Sequence, residues 1–93
     1  MNKKCTIGIV GFGKFGTLAA VILKKYGQVS VYHYKDNKKI REKTKKAGVK
    51  LVGLVTAMKS EVVILAVPIS KTEEMIKNIA PLAKEGSLIV DIC

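Results

Sequence analysis

The 93-residue sequence predicts an α/β fold, a doubly wound parallel sheet of five strands with helices on both faces. Three observations predict it. Short apolar or β-branched runs alternate with segments of helical periodicity along the chain. The first run, Ile7-Gly8-Ile9-Val10, passes directly into Gly11-Phe12-Gly13-Lys14-Phe15-Gly16 and then into a helical pattern. A later run, Val62-Val63-Ile64-Leu65-Ala66-Val67, is apolar without interruption, as a strand buried on both faces should be.

In chain order, Cys5 to Val10 reads as the first strand, apolar on both faces. The first helix spans about 14–26. Phe15, Leu18, Ala19, Ile22 and Leu23 recur at helical spacing and are expected to face the sheet. Lys24 and Lys25 suit its last turn, and Gly27 suits the left-handed position beyond it. Val29 to Tyr34 is the second strand. A lysine-rich helix follows, with a thin apolar stripe at Ile40, Thr44 and Ala47, Asp36 or Asn37 as cap and Gly48 as stop. Val49 to Val52 is a short third strand at an edge, and 56–59 form a helical turn. Val62 to Val67 is the fourth strand, ended by Pro68. Ser70 is expected to cap the next helix, with Glu73 as capping-box partner and Met75, Ile76 and Ile79 as its buried face. Pro81 predicts a break after Ala80. Gly86 ends that segment, and Ser87 to Ile92 is the fifth strand.

Right-handed crossovers then give the Rossmann-like strand order 3-2-1-4-5. Ligand belongs at the carboxyl ends of strands one and four, where the order reverses. The glycine loop and the Val67-Pro68 turn both fall there. In this G-x-G-x-x-G, Gly11 permits the turn out of the strand. Gly13, lacking a Cβ, lets a pyrophosphate approach the backbone. Gly16 lets the helix pack closely, and the helix start offers free N–H groups to phosphate. Phe12 lies on the loop beside the phosphates, and Phe15 sits at a position more often given to the core. An NAD site usually carries an acid at the end of strand two. Here that place holds His33, Tyr34 and Lys35, with Lys38 and Lys39 close by. This favours NADP over NAD as cofactor, Asp36 being the residue that could reverse the preference by reaching the ribose. His33, the only histidine, lies on the adenosine side, where a ribose-edge role fits better than catalysis.

Seventeen basic residues, sixteen of them lysine, face seven acidic ones, for a net charge of +10. The asymmetry is regional: residues 1–50 carry thirteen basic and two acidic residues, residues 51–93 four and five. An anionic partner near the first half, or simply solvated lysines, accounts for this. Nucleic acid is not the expected partner, because the basic residues are not interleaved with aromatics as a stacking platform requires. No apolar run approaches the roughly 18 residues of a membrane span, and no secretory signal is legible. Cys5 and Cys93 are expected to be free thiols and the location cytoplasmic. No His/Cys/carboxylate cluster has metal-site spacing.

With these residues laid out, the chain resembles the cofactor domain of the prephenate and arogenate dehydrogenases. The resemblance rests on I-G-I-V-G-F-G-K-F-G at 7–16, V-V-I-L-A-V-P-I-S at 62–70 and I-A-P-L-A-K-E-G-S-L-I-V-D-I-C at 79–93. The strand-two ending Y-H-Y-K-D is similar to that of the NADP-using arogenate members. The family oxidatively decarboxylates prephenate or arogenate on the way to tyrosine, passing hydride to NAD(P). The resemblance implies that Gly11, Gly13 and Gly16 hold the pyrophosphate, with Lys14 and Phe15 at the helix start. It implies that Tyr34 and Lys35, with His33, meet the adenosine ribose or its phosphate, and that Ala66, Val67 and Pro68 line the nicotinamide side. The family's catalytic histidine and helical substrate and dimerisation domain follow the fifth strand. No counterpart is present in residues 1–93, which therefore read as a single dinucleotide-binding domain, inactive alone, with no catalytic residue assigned. An unpaired fifth strand would accept a second copy of the chain, as a homodimer, or a separate catalytic domain. Two other readings compete. One is the cofactor domain of another NADP-dependent reductase, of the pyrroline-carboxylate or coenzyme F420-dependent type. The other is a non-catalytic dinucleotide-sensing module.

Overall fold

The computed structural model describes residues 5–35 and 37–92. Five strands form one sheet: β1 (Cys5–Val10), β2 (Gly27–Tyr32), β3 (Lys50–Leu51), β4 (Val62–Leu65) and β5 (Leu88–Asp91). Their order is β3-β2-β1-β4-β5, every pairing is parallel, and β1 and β4 adjoin at the reversal of strand order. The register sets Val10 opposite both Tyr32 and Leu65, so β1, β2 and β4 end level with one another.

The pleat divides the core in two. Ile7, Ile9, Val31 and Ile64 point to one side and pack with Phe12, Ala20 and Ala47, beneath α1 (Lys14–Leu23) and α2 (Lys38–Ala47). Val10, Val63 and Leu65 point to the other and pack with Met58, Val67 and Ile79, beneath α3 (Leu54–Met58) and α4 (Ile69–Ile79). A 3-10 turn over Ala80–Leu82 follows α4 at Pro81, as the proline predicts. The cap of α2 is Asn37, whose Oδ1 accepts from the Ile40 amide at 3.0 Å, and Gly48 ends the helix at φ 76°. Asp36, the alternative cap, and Cys93 lie outside the described residues.

Four expectations are corrected, one of them on α4: Ile76 is not on its buried face but 47% exposed, and Met75 and Ile79 make the contact with the core. Of the residues expected to turn α1 toward the sheet, Ala19 and Leu23 pack against the core, but Phe15, Leu18 and Ile22 do not: they are 61%, 56% and 49% exposed. Gly16 and Ala20 are buried instead. A Cβ on Gly16 would lie 2.6 Å from the Gly11 carbonyl oxygen and 3.4 Å from the Ala66 Cβ, so only the small-residue stripe fits against the strands. Helix α4 begins at Ile69 after Pro68, with no side-chain cap, which leaves Ser70 inside the first turn and unable to cap it. The Thr72 hydroxyl and Lys71 amide engage the Pro68 carbonyl, at 3.2 and 2.8 Å. Gly27 is not a left-handed cap. It opens β2, and a methyl there would overlap the Cys5 carbonyl of the neighbouring strand.

Gly8, in mid-β1, faces α3 so closely that a methyl would overlap the Ala57 carbonyl and crowd Ser60 Oγ. Both obstacles belong to a packed core, so Gly8→Ala is expected to cost about 1–3 kcal/mol. Urea unfolding of the variant beside the wild type measures it.

Candidate dinucleotide-binding site

Three loops meet at the carboxyl end of the sheet: 11–13 after β1, 33–35 after β2 and 66–68 after β4. The backbone ties them together. Gly11 donates to the Tyr32 carbonyl and Ala66 to the Val10 carbonyl, both at 2.8 Å. Gly11 turns with φ 102°, and a Cβ there would lie 2.5 Å from the Ala66 carbonyl oxygen. The turn therefore needs glycine twice over, for its conformation and for the close passage of the two loops.

Gly13 differs. Its φ is −82°, open to any residue, and a Cβ on it would meet nothing within 4 Å. No protein atom requires glycine there. It is also the N-cap of α1, and no side chain caps the helix or places an acid in its first turn. The start of α1 therefore presents uncapped amides and the positive end of the helix dipole beside an open glycine. The Thr17 amide and hydroxyl both engage the Gly13 carbonyl, at 2.9 and 2.7 Å, which fixes the first turn.

Because β2 ends at Tyr32, His33, Tyr34 and Lys35 form its exit loop and are not part of the strand. His33 Nδ1 lies 3.0 Å from the Lys35 amide nitrogen and 3.2 Å from the Lys35 carbonyl oxygen, so the ring is tied to the backbone of its own loop. Its ring stacks on Tyr34, with centroids 4.8 Å apart, and Lys35 Nζ lies 5.6 Å from the centre of the Tyr34 ring. The loop borders two clefts. One, of 510 Å³, is lined by Tyr32, His33, Tyr34, Arg41, Leu51, Val52 and Gly53. The other, of 210 Å³, lies between Tyr32, Tyr34, Val67, Pro68, Lys71, Glu74, Met75 and Asn78. A larger cleft of 730 Å³ opens among Thr6, Gly27, Lys50 and Ser60, at the amino ends of the strands and far from the glycine loop.

Gly11, Phe12, Gly13, Lys14, Phe15, Gly16, His33, Tyr34, Lys35, Ala66, Val67 and Pro68 thus lie on or beside the three loops that meet at this end of the sheet; His33, Tyr34, Val67 and Pro68 line the two clefts there, and the glycine loop lines neither. The Phe12 ring is 1% exposed in the core under α1 and α2, so Phe12 can offer a ligand only its main chain. Phe15 is the solvent-facing ring of the pair. Val67 is buried in the core beneath α3 and α4 yet lines the smaller cleft with Pro68, whereas Ala66 packs against the core on the α1 side. Two residues of α2 that the sequence reading passed over join the site. Arg41, the only arginine, lines the cleft at the β2 exit. Lys43 reaches back to the Phe12 carbonyl. Arg41 carried a signal, as the single arginine in a lysine-rich helix; Lys43 carried none.

Residues 6–93 match the protein family described as NADP oxidoreductase, coenzyme F420-dependent. The chain belongs to that family. It is 36% identical over 94 residues to a probable arogenate/prephenate dehydrogenase of Methanocaldococcus jannaschii, covering 98% of this chain and 21% of that protein. The chain thus spans about a fifth of the length of this curated relative. Among solved structures, Synechocystis arogenate dehydrogenase superimposes with a TM-score of 0.82 at 16% identity, covering 95% of this chain and 32% of that one. A semialdehyde dehydrogenase NAD-binding protein from Cupriavidus necator, in complex with calcium and NAD, does so with a TM-score of 0.77 at 30% identity, over 97% and 33%. The chain is an oxidoreductase-type domain for a nicotinamide dinucleotide, resembling the amino-terminal domain of the arogenate/prephenate dehydrogenases. No helix among the described residues is long and apolar enough to cross a membrane.

The two phenylalanines of the motif have opposite surroundings, and their truncation separates them. Phe12→Ala is expected to cost about 3–5 kcal/mol of stability as a core cavity. Phe15→Ala should stay within about 0.5 kcal/mol of wild type, as exposed positions do. Parallel denaturant melts check both.

Proposed function

We propose that the chain is the NADP-binding part of a dehydrogenase of the arogenate/prephenate type. Gly13 carries this reading: a glycine with no steric need for its missing side chain, at the uncapped start of α1, is explained by a ligand that occupies the space. Gly11 and Gly16 shape the cradle, and the amides around Gly13, Lys14 and Phe15 receive the pyrophosphate. Ala66 and Pro68 border the nicotinamide side. When bound, the nicotinamide supplies hydride transfer. The chain's own residues bind and orient the dinucleotide, and we assign turnover and substrate recognition outside these 93 residues. A reductase of the coenzyme F420-dependent type is the second reading, favoured by the family the sequence matches.

The preference for NADP rests on charge at the β2 exit. His33, Tyr34 and Lys35 supply no carboxylate to repel a 2′-phosphate. Helix α2 then opens with Lys38 and Lys39 and no acid in its first turn, and Arg41 follows. Cations at a helix start oppose its dipole, and a bound phosphate would relieve that strain while receiving a bidentate partner in Arg41.

Fluorescence titration of the purified chain with NADPH and NADH tests both parts. NADPH should bind more tightly. Arg41→Ala and Lys35→Ala should each weaken NADPH by about tenfold and leave NADH nearly unchanged, one lost charge-assisted contact being worth about that factor. Gly13→Ala should weaken both dinucleotides by at least about tenfold while the melting temperature holds, since only the ligand meets the new methyl. Preferential NADH binding would refute the NADP assignment, and Gly13→Ala without effect would refute the placement of the pyrophosphate.

A further inference from the structure

We infer that Lys43 is a positioning residue of the glycine loop, holding the Phe12–Gly13 peptide in the orientation that turns the Gly13 amide away from α2 and toward the dinucleotide. The inference rests on the cofactor reading above. Exposed cations crowd α2, but Lys43 is half-buried and its ammonium points inward. Lys43 Nζ donates to the Phe12 carbonyl at 3.0 Å and lies 5.2 Å from the centre of the buried Phe12 ring. The ring and the carbonyl together fix where the ammonium sits.

The consequence follows from peptide geometry. Among the described residues no peptide bond is cis, and in a trans peptide the C=O and N–H point in opposite directions. A Phe12 carbonyl drawn toward α2 therefore turns the Gly13 N–H the other way. Without that hold the peptide could flip, because the flip rotates ψ of Phe12 and φ of Gly13, and glycine sets little steric limit on the second. A flipped peptide would present a carbonyl oxygen, not an amide, to a phosphate. Lys43 thus contributes by preorganisation of a loop that both dinucleotides share.

The test compares Lys43→Met, which keeps the apolar stem and loses the donor, with Lys43→Arg, which keeps charge and donors. Each variant of the full chain is titrated with NADPH and NADH, and the Gly13 amide is followed by two-dimensional NMR without ligand. Lys43→Met should weaken both dinucleotides equally, by about tenfold, and shift the Gly13 amide resonance, while Lys43→Arg stays within about threefold of wild type. Unchanged affinity in Lys43→Met would overturn the inference. So would a loss confined to NADPH, which would make Lys43 a 2′-phosphate contact, or a loss in Lys43→Arg as large as in Lys43→Met. A wild-type chain that binds neither dinucleotide would overturn the cofactor reading and with it the purpose assigned to Lys43. An unmoved Gly13 amide would overturn the hold on the loop alone.

Discussion

The close passage of Gly11 and Ala66 is the constraint on which the rest of the site depends. Two parallel strands that end level must send their chains in opposite directions, one into α1 and the other into α4. At the crossing the backbones approach so closely that no side chain fits between them at Gly11. The same approach pulls the start of α1 down onto the loop at Gly16, which selects the small face of that helix for the sheet. The hydrogen bonds from Gly11 to Tyr32 and from Ala66 to Val10 then fix where all three loops leave the sheet. A junction of three loops at the carboxyl end of the sheet, with the start of α1 beside it, is the geometric result, before any side chain is considered.

Much of this was legible in the sequence, and the parts that were not have physical reasons. Strand order follows from alternation and crossover handedness, and the glycine spacing located the turn between β1 and α1. Asn37 and Gly48 were readable because capping chemistry is local, a side-chain acceptor at one end and a left-handed residue at the other. The buried face of α1 was misread because that helix is apolar nearly all round. Phe15, Leu18 and Ile22 form one regular stripe, and Gly16, Ala20 and Leu23 another. Periodicity cannot choose between two apolar stripes; the choice was made by how closely the loop approaches, a tertiary quantity. Ser70 failed as a cap for a related reason. Thr72 and the Pro68 carbonyl already closed the turn one residue earlier. Lys43 was invisible because it stands among lysines of identical chemistry, and only the fold decides which one reaches the loop.

The two phenylalanines show what a motif does and does not encode. The glycine pattern fixes backbone, and the turn after β1 falls where the pattern puts it, whereas β2 and β4 end two residues earlier than the apolar runs suggest. Side-chain direction is not part of the pattern. Phe12 anchors the loop to the core through its ring, so its contribution to a ligand is made through the peptide it leaves exposed. The anchor also gives Lys43 a face to rest on, which couples α2 to the loop before it.

The charge distribution now has a structural division of labour. In the proposed reading the pyrophosphate meets uncharged amides and a helix dipole, which serve any dinucleotide alike. In the proposed reading discrimination falls about one strand away, at the exit of β2 and the start of α2, the stretch of chain that carries Lys35, Lys38, Lys39 and Arg41. The cradle is short-ranged and held by hydrogen bonds, so salt touches it little. The β2 exit is largely solvent-exposed, so its attraction is screened over about 8–10 Å at ordinary ionic strength. On that reading affinity and selectivity are physically separable. One is written in glycines that leave room, the other in cations that a helix start would otherwise disfavour.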